Sequence, residues 1–377
     1  MILNTAGAIL LVAGFTAALH AAPGRAGVPG AGWFPDPATS APRRRWWDGR
    51  AWTGRLAEGG PPADRGRRFR GRFWGTWVWF ALGAVVILVA GSAVYRSTDV
   101  VHVIAVASLL AMAAVCWAFY RFVDRQLALD DVVGPLAVAA VAVATAGATL
   151  LIAANVNSAI IDGAGISTAT ATVGVVEEGT KFLVPVALFL LGRYRDPRAG
   201  VAIGLASGFG FAMAETTQYA YQTAAASGPD FCGTGTIDTT TSSVVLAQTL
   251  RIFTVSPLHW LWTGVAVAIA WRLWHLHGRR GTLGALGGLV MVMAIHSVND
   301  SSSTASCDEP ALALVAGLLG PVLLVVMYLV FKAWARRSTP PQLIGRVSRG
   351  WTPRHLPAGT VAAAPVDGSA EVPAGRS

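Results

Sequence analysis

The stretch VVEEGTKFLVP, residues 175–185, places Glu177, Glu178 and Lys181 among apolar residues that continue on both sides. If this segment crosses a membrane, each charge at the bilayer centre costs about 2.5–3.5 kcal/mol on insertion scales. A membrane helix keeps three such charges only when they face the interior of a helix bundle. Ionisable residues in this position therefore indicate a functional site.

The composition of the whole chain is that of a membrane protein. Hydrophobic residues make up 54% of the 377 residues, charged residues make up only 13%, and the mean hydropathy is +0.53. A soluble domain has about 25% charged residues. The formal net charge is +9, but the basic residues lie in short clusters between apolar runs. This distribution indicates orientation in a membrane rather than binding to nucleic acid.

Eight apolar runs are each close to the ~20 residues that a helix needs to cross the hydrocarbon core. They lie at residues 73–95, 100–120, 132–154, 171–191, 200–222, 250–273, 283–299 and 311–333. We therefore predict an all-α polytopic membrane helix bundle with eight transmembrane helices, in the cell (plasma) membrane. No broken helix and no inverted repeat is evident from this pattern.

The connecting segments alternate in charge along the chain. Three of the alternate segments lack Lys and Arg, namely 155–170, 223–243 and 300–309, and the first alternate segment, 96–99, holds only Arg96. The other segments hold most of the remaining basic residues. By the positive-inside rule, the Arg-rich segment before the first span and the C-terminal tail are both predicted to be cytoplasmic.

The first 22 residues leave two interpretations open. They form an apolar run without a basic start, which makes them a poor signal peptide. Residues 1–22 are either a ninth span whose N-terminus lies outside, or a segment that is not made because translation begins nearer Val28.

Residues 31–56 contain GWFPDP, then WWDG, then a further Trp. This spacing resembles a short Trp-rich actinobacterial domain of unknown function that is attached to many membrane proteins. In such a domain the aromatic residues are expected to pack around Pro35 and Pro37; they are Trp33, Phe34, Trp46, Trp47 and Trp52. The alternative is an interfacial segment that lies on the membrane with its tryptophans at headgroup level.

The remaining regions follow from composition. Ten arginines lie between Arg43 and Arg72, where they could contact anionic lipid at the cytoplasmic surface. Residues 57–72 read as a linker, 73–335 as the membrane domain, and 336–377 as a disordered cytoplasmic tail.

Cys232 and Cys307 both fall in segments that the charge pattern places outside the cytoplasm. A disulfide can persist there, so we expect the two residues to pair. The alternative is that both remain free thiols.

Four predicted spans carry ionisable residues at similar depth. From the rise of 1.5 Å per residue, Glu177 lies about 9 Å below the outer end of its span and Glu215 about 10 Å. If Arg251 marks the outer end of the next span, His259 lies about 12 Å down, and His296 lies about one turn below the end of its own span. We therefore predict that these residues converge in the outer half of the membrane.

The helix faces favour the same convergence. Gly200, Gly204 and Gly208 form a small-residue stripe that allows another helix to approach, and Phe211 and Glu215 continue it. Adjacent glutamates lie about 100° apart around a helix. One of Glu177 and Glu178 is therefore expected to face the cavity, while the other pairs with a cation.

Several of these residues also have structural interpretations. Glu178 belongs to the predicted catalytic set with Glu177, Glu215, His259 and His296, but with Lys181 it could form a structural ion pair instead. Glu177 is the favoured catalytic glutamate. Arg251 could extend to the interface, and Asp300 borders a predicted loop, where it could cap the helix end.

In combination, the motifs resemble those of the PrsW family of intramembrane proteases, distant relatives of the CAAX prenyl endopeptidases. The matching segments are EEGTK at 177–181, Phe211 to Glu215, RIFTVSPLHWLWTG from Arg251 to Gly264 with His259, and His296 to Asp300. The resemblance covers about residues 75–335. Asp300 departs from the Asn that is frequent in the family, and an ionised Asp is no hydrogen-bond donor.

The resemblance implies hydrolysis of a membrane-anchored protein substrate. In the family's best-known case this is the first cut in an anti-sigma factor, near the outer face. The competing hypothesis is a transporter that uses the same buried charges as an ion or proton relay.

For the chemistry we favour a metal-free glutamic mechanism. Glu177 is the predicted general base, Glu215 shares the water or supplies a proton, and His259 and His296 donate to the oxyanion. The same set, Glu177, Glu215, His259 and His296, could instead bind zinc. The sequence contains no HExxH motif, so the zinc signal is not specific.

Overall fold

The computed structural model describes residues 2–22, 32–35, 43–47, 52–58, 76–127, 129–227, 232, 235–309 and 312–338. Most of the predicted linker and nearly all of the predicted tail lie outside these residues.

The described residues form an all-α polytopic membrane helix bundle with one small sheet. The helices are α1 (Ile2–Ala21), α2 (Thr76–Thr98), α3 (Val101–Leu127), α4 (Pro135–Ala148), α5 (Ala154–Ala164), α6 (Ile166–Leu190), α7 (Pro197–Ala225), α8 (Thr241–Leu250), α9 (Ser256–His277), α10 (Thr282–Asp308) and α11 (Leu312–Arg337). The fold class predicted from hydropathy is therefore confirmed.

Seven stretches of the described chain are long and apolar enough to cross a membrane. One of them, Thr241–Cys307, contains 67 residues, and the 3-10 turn Gly278–Gly281 divides it into two antiparallel parts. Helix α6 has the required length of 25 residues but carries the three charges discussed above. All eight predicted spans thus correspond to long helices, and α1 adds a further candidate.

Two long helices each contain a π-helical segment, contrary to the expectation of unbroken helices. Thr149–Ala153 joins α4 to α5, and Arg251–Val255 joins α8 to α9. A π turn changes the hydrogen-bond spacing from i→i+4 to i→i+5, which hydropathy does not detect. Such segments are frequent at functional sites.

Two predicted outer loops are wrong. Helix α5 continues to Ala164 and α6 begins at Ile166, so the predicted loop at 155–170 reduces to a turn at Gly165, where φ is +81°. Helix α10 continues to Asp308, which places Asp300 inside the helix rather than at its end. Both extensions are rich in Ser, Thr and Asn, so their hydropathy resembles that of a loop.

Helix α7 lies at the centre of the bundle, and its glycine stripe faces α9. A Cβ atom at Gly200 would lie 2.3 Å from the Trp271 ring, and one at Gly208 would lie 2.3 Å from the Trp260 Cα atom. The predicted close approach is therefore confirmed. It brings Glu215 and His259, which lie further along these two helices, to the same region.

Helix α1 packs against α4 through small residues. A Cβ atom at Gly14 would lie 2.4 Å from the Ala144 backbone nitrogen, and Tyr194, between α6 and α7, donates a 2.7 Å hydrogen bond to the Ala18 carbonyl. The C-terminal end of α1 thus lies at the same side of the bundle as the Arg-containing α6–α7 connection. Residues Leu3–Ala21 are long and apolar enough to cross a membrane, and the ninth span stays a prediction.

The Trp-rich segment forms a three-stranded antiparallel sheet in the order β1 (Gly32–Pro35), β2 (Arg43–Trp47) and β3 (Trp52–Glu58). The rings of Trp33 and Trp46 meet edge to face with centroids 5.3 Å apart. A sheet favours the small domain over the interfacial segment. The expected contacts of the other aromatic residues and the two prolines lie outside the described side chains.

A disulfide joins Cys232 to Cys307, the two cysteines that were expected to pair, with Cα atoms 5.3 Å apart. It connects the segment between α7 and α8 to the C-terminal end of α10. This covalent link lies on the side of the bundle opposite to the α6–α7 connection.

Candidate active site

The predicted polar residues of four helices meet in the interior of the bundle. Glu177, Glu178 and Lys181 of α6, His259 of α9 and His296 of α10 are all buried. Glu215 of α7 joins them through His259, as described below. The convergence predicted from helix depth therefore occurs. The assumption that Arg251 marks the outer end of its span was wrong, because the helix that holds His259 begins at Thr241, ten residues before Arg251.

Lys181 connects most of the cluster. Its Nζ atom lies 2.6 Å from Glu178 Oε1, 3.0 Å from His259 Nδ1 and 3.6 Å from Glu177 Oε2. It also lies 3.8 Å from the centroid of the Phe211 ring, within cation–π range. The side chain of Lys181 is fully buried, so these partners stabilise its ammonium group in place of water.

Both carboxylate oxygens of Glu178 are occupied. Oε1 contacts Lys181 and also lies 3.0 Å from His296 Nδ1, while Oε2 accepts a 3.1 Å hydrogen bond from Thr263. The expectation that one glutamate pairs with a cation is thus met by Glu178. Its oxygens have little capacity left for a substrate, so Glu178 stabilises the packing of the helices around the site.

The contact with Glu178 determines the tautomer of His296. A carboxylate only accepts hydrogen bonds, so His296 Nδ1 carries the proton and a neutral ring keeps a lone pair on Nε2. That Nε2 atom lies 3.6 Å from Glu177 Oε2 and 3.8 Å from Asp300 Oδ2. The ring stacks on Trp262 with centroids 4.1 Å apart, which holds its orientation.

Glu177 differs from Glu178 because one of its two oxygens accepts no hydrogen bond from the described residues. Its Oε1 atom accepts a 3.2 Å hydrogen bond from Asn157 Nδ2 on α5. Its Oε2 atom is buried and finds no hydrogen-bond partner among the described residues. Glu177 is therefore the glutamate that faces the cavity, as the 100° offset between the two positions allows.

Glu215 forms a triad with Arg251 and His259. Its Oε2 atom lies 2.6 Å from Arg251 Nη2 and 2.8 Å from His259 Nε2. The guanidinium of Arg251 also lies 3.8 Å from the centroid of the Tyr219 ring. Arg251 thus turns into the bundle and does not extend to the interface.

These contacts change the expectation for Glu215. The sequence predicted that it would share the water with Glu177 or supply a proton, whereas its contacts among the described residues are to a cation and a histidine. Glu215 is accordingly placed to orient His259.

Four contact residues were not found from the sequence: Asn157, Tyr219, Trp262 and Thr263. Neutral polar and aromatic side chains are common in membrane helices, so they do not stand out among apolar neighbours. Of the four, Thr263 could have been predicted from the sequence, because it lies four residues after His259 and hence on the same helix face.

The donor atoms fit a metal ion. Glu177, His259 and His296 each offer one ligand atom within 4.8 Å of the other two. Glu177 Oε2 and His296 Nε2 are also buried atoms without a partner in hydrogen-bond geometry among the described residues, whereas His259 Nε2 lies 2.8 Å from Glu215 Oε2. Two histidines and a glutamate are a known zinc ligand set, and the Glu178 contact to His296 resembles the carboxylate–histidine pairs of such sites.

Comparison with known proteins gives two matches. A family model described as PrsW family intramembrane metalloprotease matches residues 132–334, which is more than half of the chain. A second model, described as a protein of unknown function (DUF2510), matches residues 31–65 and covers the three-stranded sheet. No curated protein and no solved structure matches the chain.

Proposed function

Since the chain belongs to the PrsW family and is a multi-pass intramembrane endopeptidase, we propose that Glu177 activates the water that attacks its substrate. The observation that carries this proposal is the buried Oε2 atom of Glu177, which has no partner in hydrogen-bond geometry among the described residues and lies 3.6 Å from Lys181 Nζ and from His296 Nε2. A buried carboxylate oxygen in a membrane protein without a hydrogen-bond donor is costly. Binding of a water molecule and a peptide would supply the missing partners.

The reaction then needs a base, an oxyanion donor and a proton for the leaving amine. Glu177 takes a proton from the water, whose oxygen forms a bond to the peptide carbonyl carbon. When the C–N bond breaks, Glu177 returns that proton to the amine. Because one carboxylate serves in both steps, Glu178 has a structural role only.

The two histidines receive different roles because their tautomers differ. Lys181 donates to His259 Nδ1 when it is charged, so His259 carries its proton on Nε2, 2.8 Å from Glu215 Oε2. We propose that this N–H donates to the oxyanion when a peptide is bound. His296 has the opposite tautomer, and its Nε2 lone pair accepts a hydrogen bond from the water. The sequence-based hypothesis that both histidines donate is replaced by this division.

Glu177, His259 and His296 are also the residues that would hold a zinc ion. When bound, zinc would polarise the peptide carbonyl and favour ionisation of water. The Lys181 ammonium lies 3.0 Å from His259 and 3.6 Å from Glu177, so it already supplies one positive charge to this set. That cation is our reason for retaining the metal-free mechanism.

We expect the purified enzyme to keep its activity after dialysis against a chelator such as EDTA or 1,10-phenanthroline. The rate of cleavage of a single-span test protein is measured before and after dialysis, with and without added zinc. Loss of activity that zinc restores would contradict the metal-free mechanism and assign the three donors to the metal.

For the substrate we propose a single-span regulatory protein, such as an anti-sigma factor, that is cut near the outer face. Two observations support this orientation: Lys and Arg are absent from the segments at the α5–α6 and α10 ends, and the Cys232–Cys307 disulfide lies at that side. The Arg-rich N-terminal segment then faces the anionic lipids of the cytoplasmic leaflet of the cell membrane.

A comparison of membrane proteomes tests this substrate class. Cells that produce the chain with Glu177→Ala are expected to accumulate uncut single-pass proteins relative to cells with the unaltered chain. Accumulation of multi-pass or soluble proteins alone would contradict the proposed class.

A further inference from the structure

Among the described residues, Asn157 of α5 is the one side-chain amide that donates a hydrogen bond to the proposed base. Its Nδ2 atom donates to Glu177 Oε1 at 3.2 Å. Its Oδ1 atom is buried and finds no hydrogen-bond partner among the described residues. The side chain thus holds one oxygen of Glu177 and presents an unused acceptor beside it.

The π segment Thr149–Ala153 lies directly before the helix that carries Asn157. A π turn accommodates one more residue than an α turn, so the residues that follow are rotated by about 100° around the helix. Asn155, two positions earlier, lies on the opposite face and donates to Asn4 Oδ1 on α1 at 2.8 Å. The π segment therefore directs Asn157 toward α6 and its glutamates.

The three glutamates of the site are held by different kinds of group. Glu178 lies 2.6 Å from the Lys181 ammonium, and Glu215 lies 2.6 Å from the Arg251 guanidinium. Glu177 lies nearest to an amide, Asn157 Nδ2 at 3.2 Å, while the Lys181 ammonium is 3.6 Å away. An amide fixes the direction of a carboxylate without adding a positive charge to it.

We propose that Asn157 positions Glu177 and the attacking water for hydrolysis, an inference that rests on the proposed role of Glu177. Nδ2 fixes Oε1, so that Oε2 faces the substrate. Oδ1 accepts one hydrogen of the water while Glu177 takes the other as a proton. No proton is transferred to Asn157, and the atoms of the hydrolysis balance as described above.

Substitutions at Asn157 separate these contributions. Asn157→Leu has similar size and lacks both polar atoms. We expect kcat to fall about 10–100-fold with KM unchanged, the loss typical when a partner that orients a reacting side chain is removed. Asn157→Asp keeps an acceptor but removes the donor and adds a charge beside Glu177, so its loss is expected to be larger. Asn157→Gln retains the amide, and its loss is expected to be smaller.

Ser158→Leu is the matched control, because Ser158 is the next residue of α5 and its side chain is exposed. We expect it to keep the unaltered kcat, and thermal unfolding in detergent checks that all variants are folded. An unaltered kcat in Asn157→Leu, a change in KM alone, or an equal loss in Ser158→Leu would each overturn the proposal.

The result also separates this inference from the function on which it rests. If Glu177→Gln is inactive while Asn157→Leu is fully active, only the role of Asn157 is wrong. If Glu177→Gln is itself active, the proposed function fails, whatever Asn157 does.

Discussion

Replacing Glu177 by Gln is expected to lower kcat for a single-span substrate by about 10²–10⁴-fold, the contribution typical of a general base. Glutamine has the same size and can still accept from Asn157, but it cannot take a proton from water. The buried ion pair of the site is retained, because Lys181 keeps its 2.6 Å contact with Glu178. The variant should therefore fold and bind the substrate, and the loss should lie in kcat.

Asp162→Asn provides the matched control for this loss of charge. Asp162 is an exposed carboxylate near the end of α5, outside the described site. We expect it to retain the unaltered kcat in the same assay. Substantial cleavage by Glu177→Gln, or an equal loss in Asp162→Asn, would contradict the assignment of the base.

Replacing Lys181 by Met is expected to lower the free energy of unfolding by about 3–5 kcal/mol, because it breaks a buried ion pair and leaves Glu178 uncompensated. Lys181 is fully buried and contacts both Glu178 and His259. Methionine preserves most of the volume, so packing against Phe211 changes little. The loss should appear as a lower unfolding temperature in detergent and as reduced accumulation in membranes.

Two further variants show whether the loss comes from the buried charge. The chain contains one other lysine, Lys332 on α11, which is only partly buried, and Lys332→Met should leave stability nearly unchanged. Adding Glu178→Gln to Lys181→Met removes the uncompensated anion, and we expect it to recover part of the lost stability. Equal effects of the two single lysine variants would show that Lys181 is not a central structural cation.

The sequence alone was sufficient to predict the eight long apolar helices and most of the ionisable residues that meet between them. Apolar runs fix the position of spans because water is absent from the hydrocarbon core, and charges within them must face inward. Glu177, Lys181, His259 and His296 were identified by that argument. The difference between Glu177 and Glu178 also followed, since adjacent residues point in different directions.

The partners of these residues could not be predicted, because they depend on helix rotation. The two π segments shift the faces of α5 and α9, and they leave no trace in hydropathy. Asn157 was missed for this reason, and Glu215 was assigned to the water although it lies beside Arg251. The end of α10 was missed because a serine-rich helix and a serine-rich loop have similar composition.

The most direct measurement is the position of the cut in a single-span test protein reconstituted in vesicles with the purified chain. Mass spectrometry of the products is expected to place the cut in the outer half of the substrate's span, with no product from the Glu177→Gln chain. Movement of protons or solute without any peptide product, or the same product from Glu177→Gln, would contradict the account.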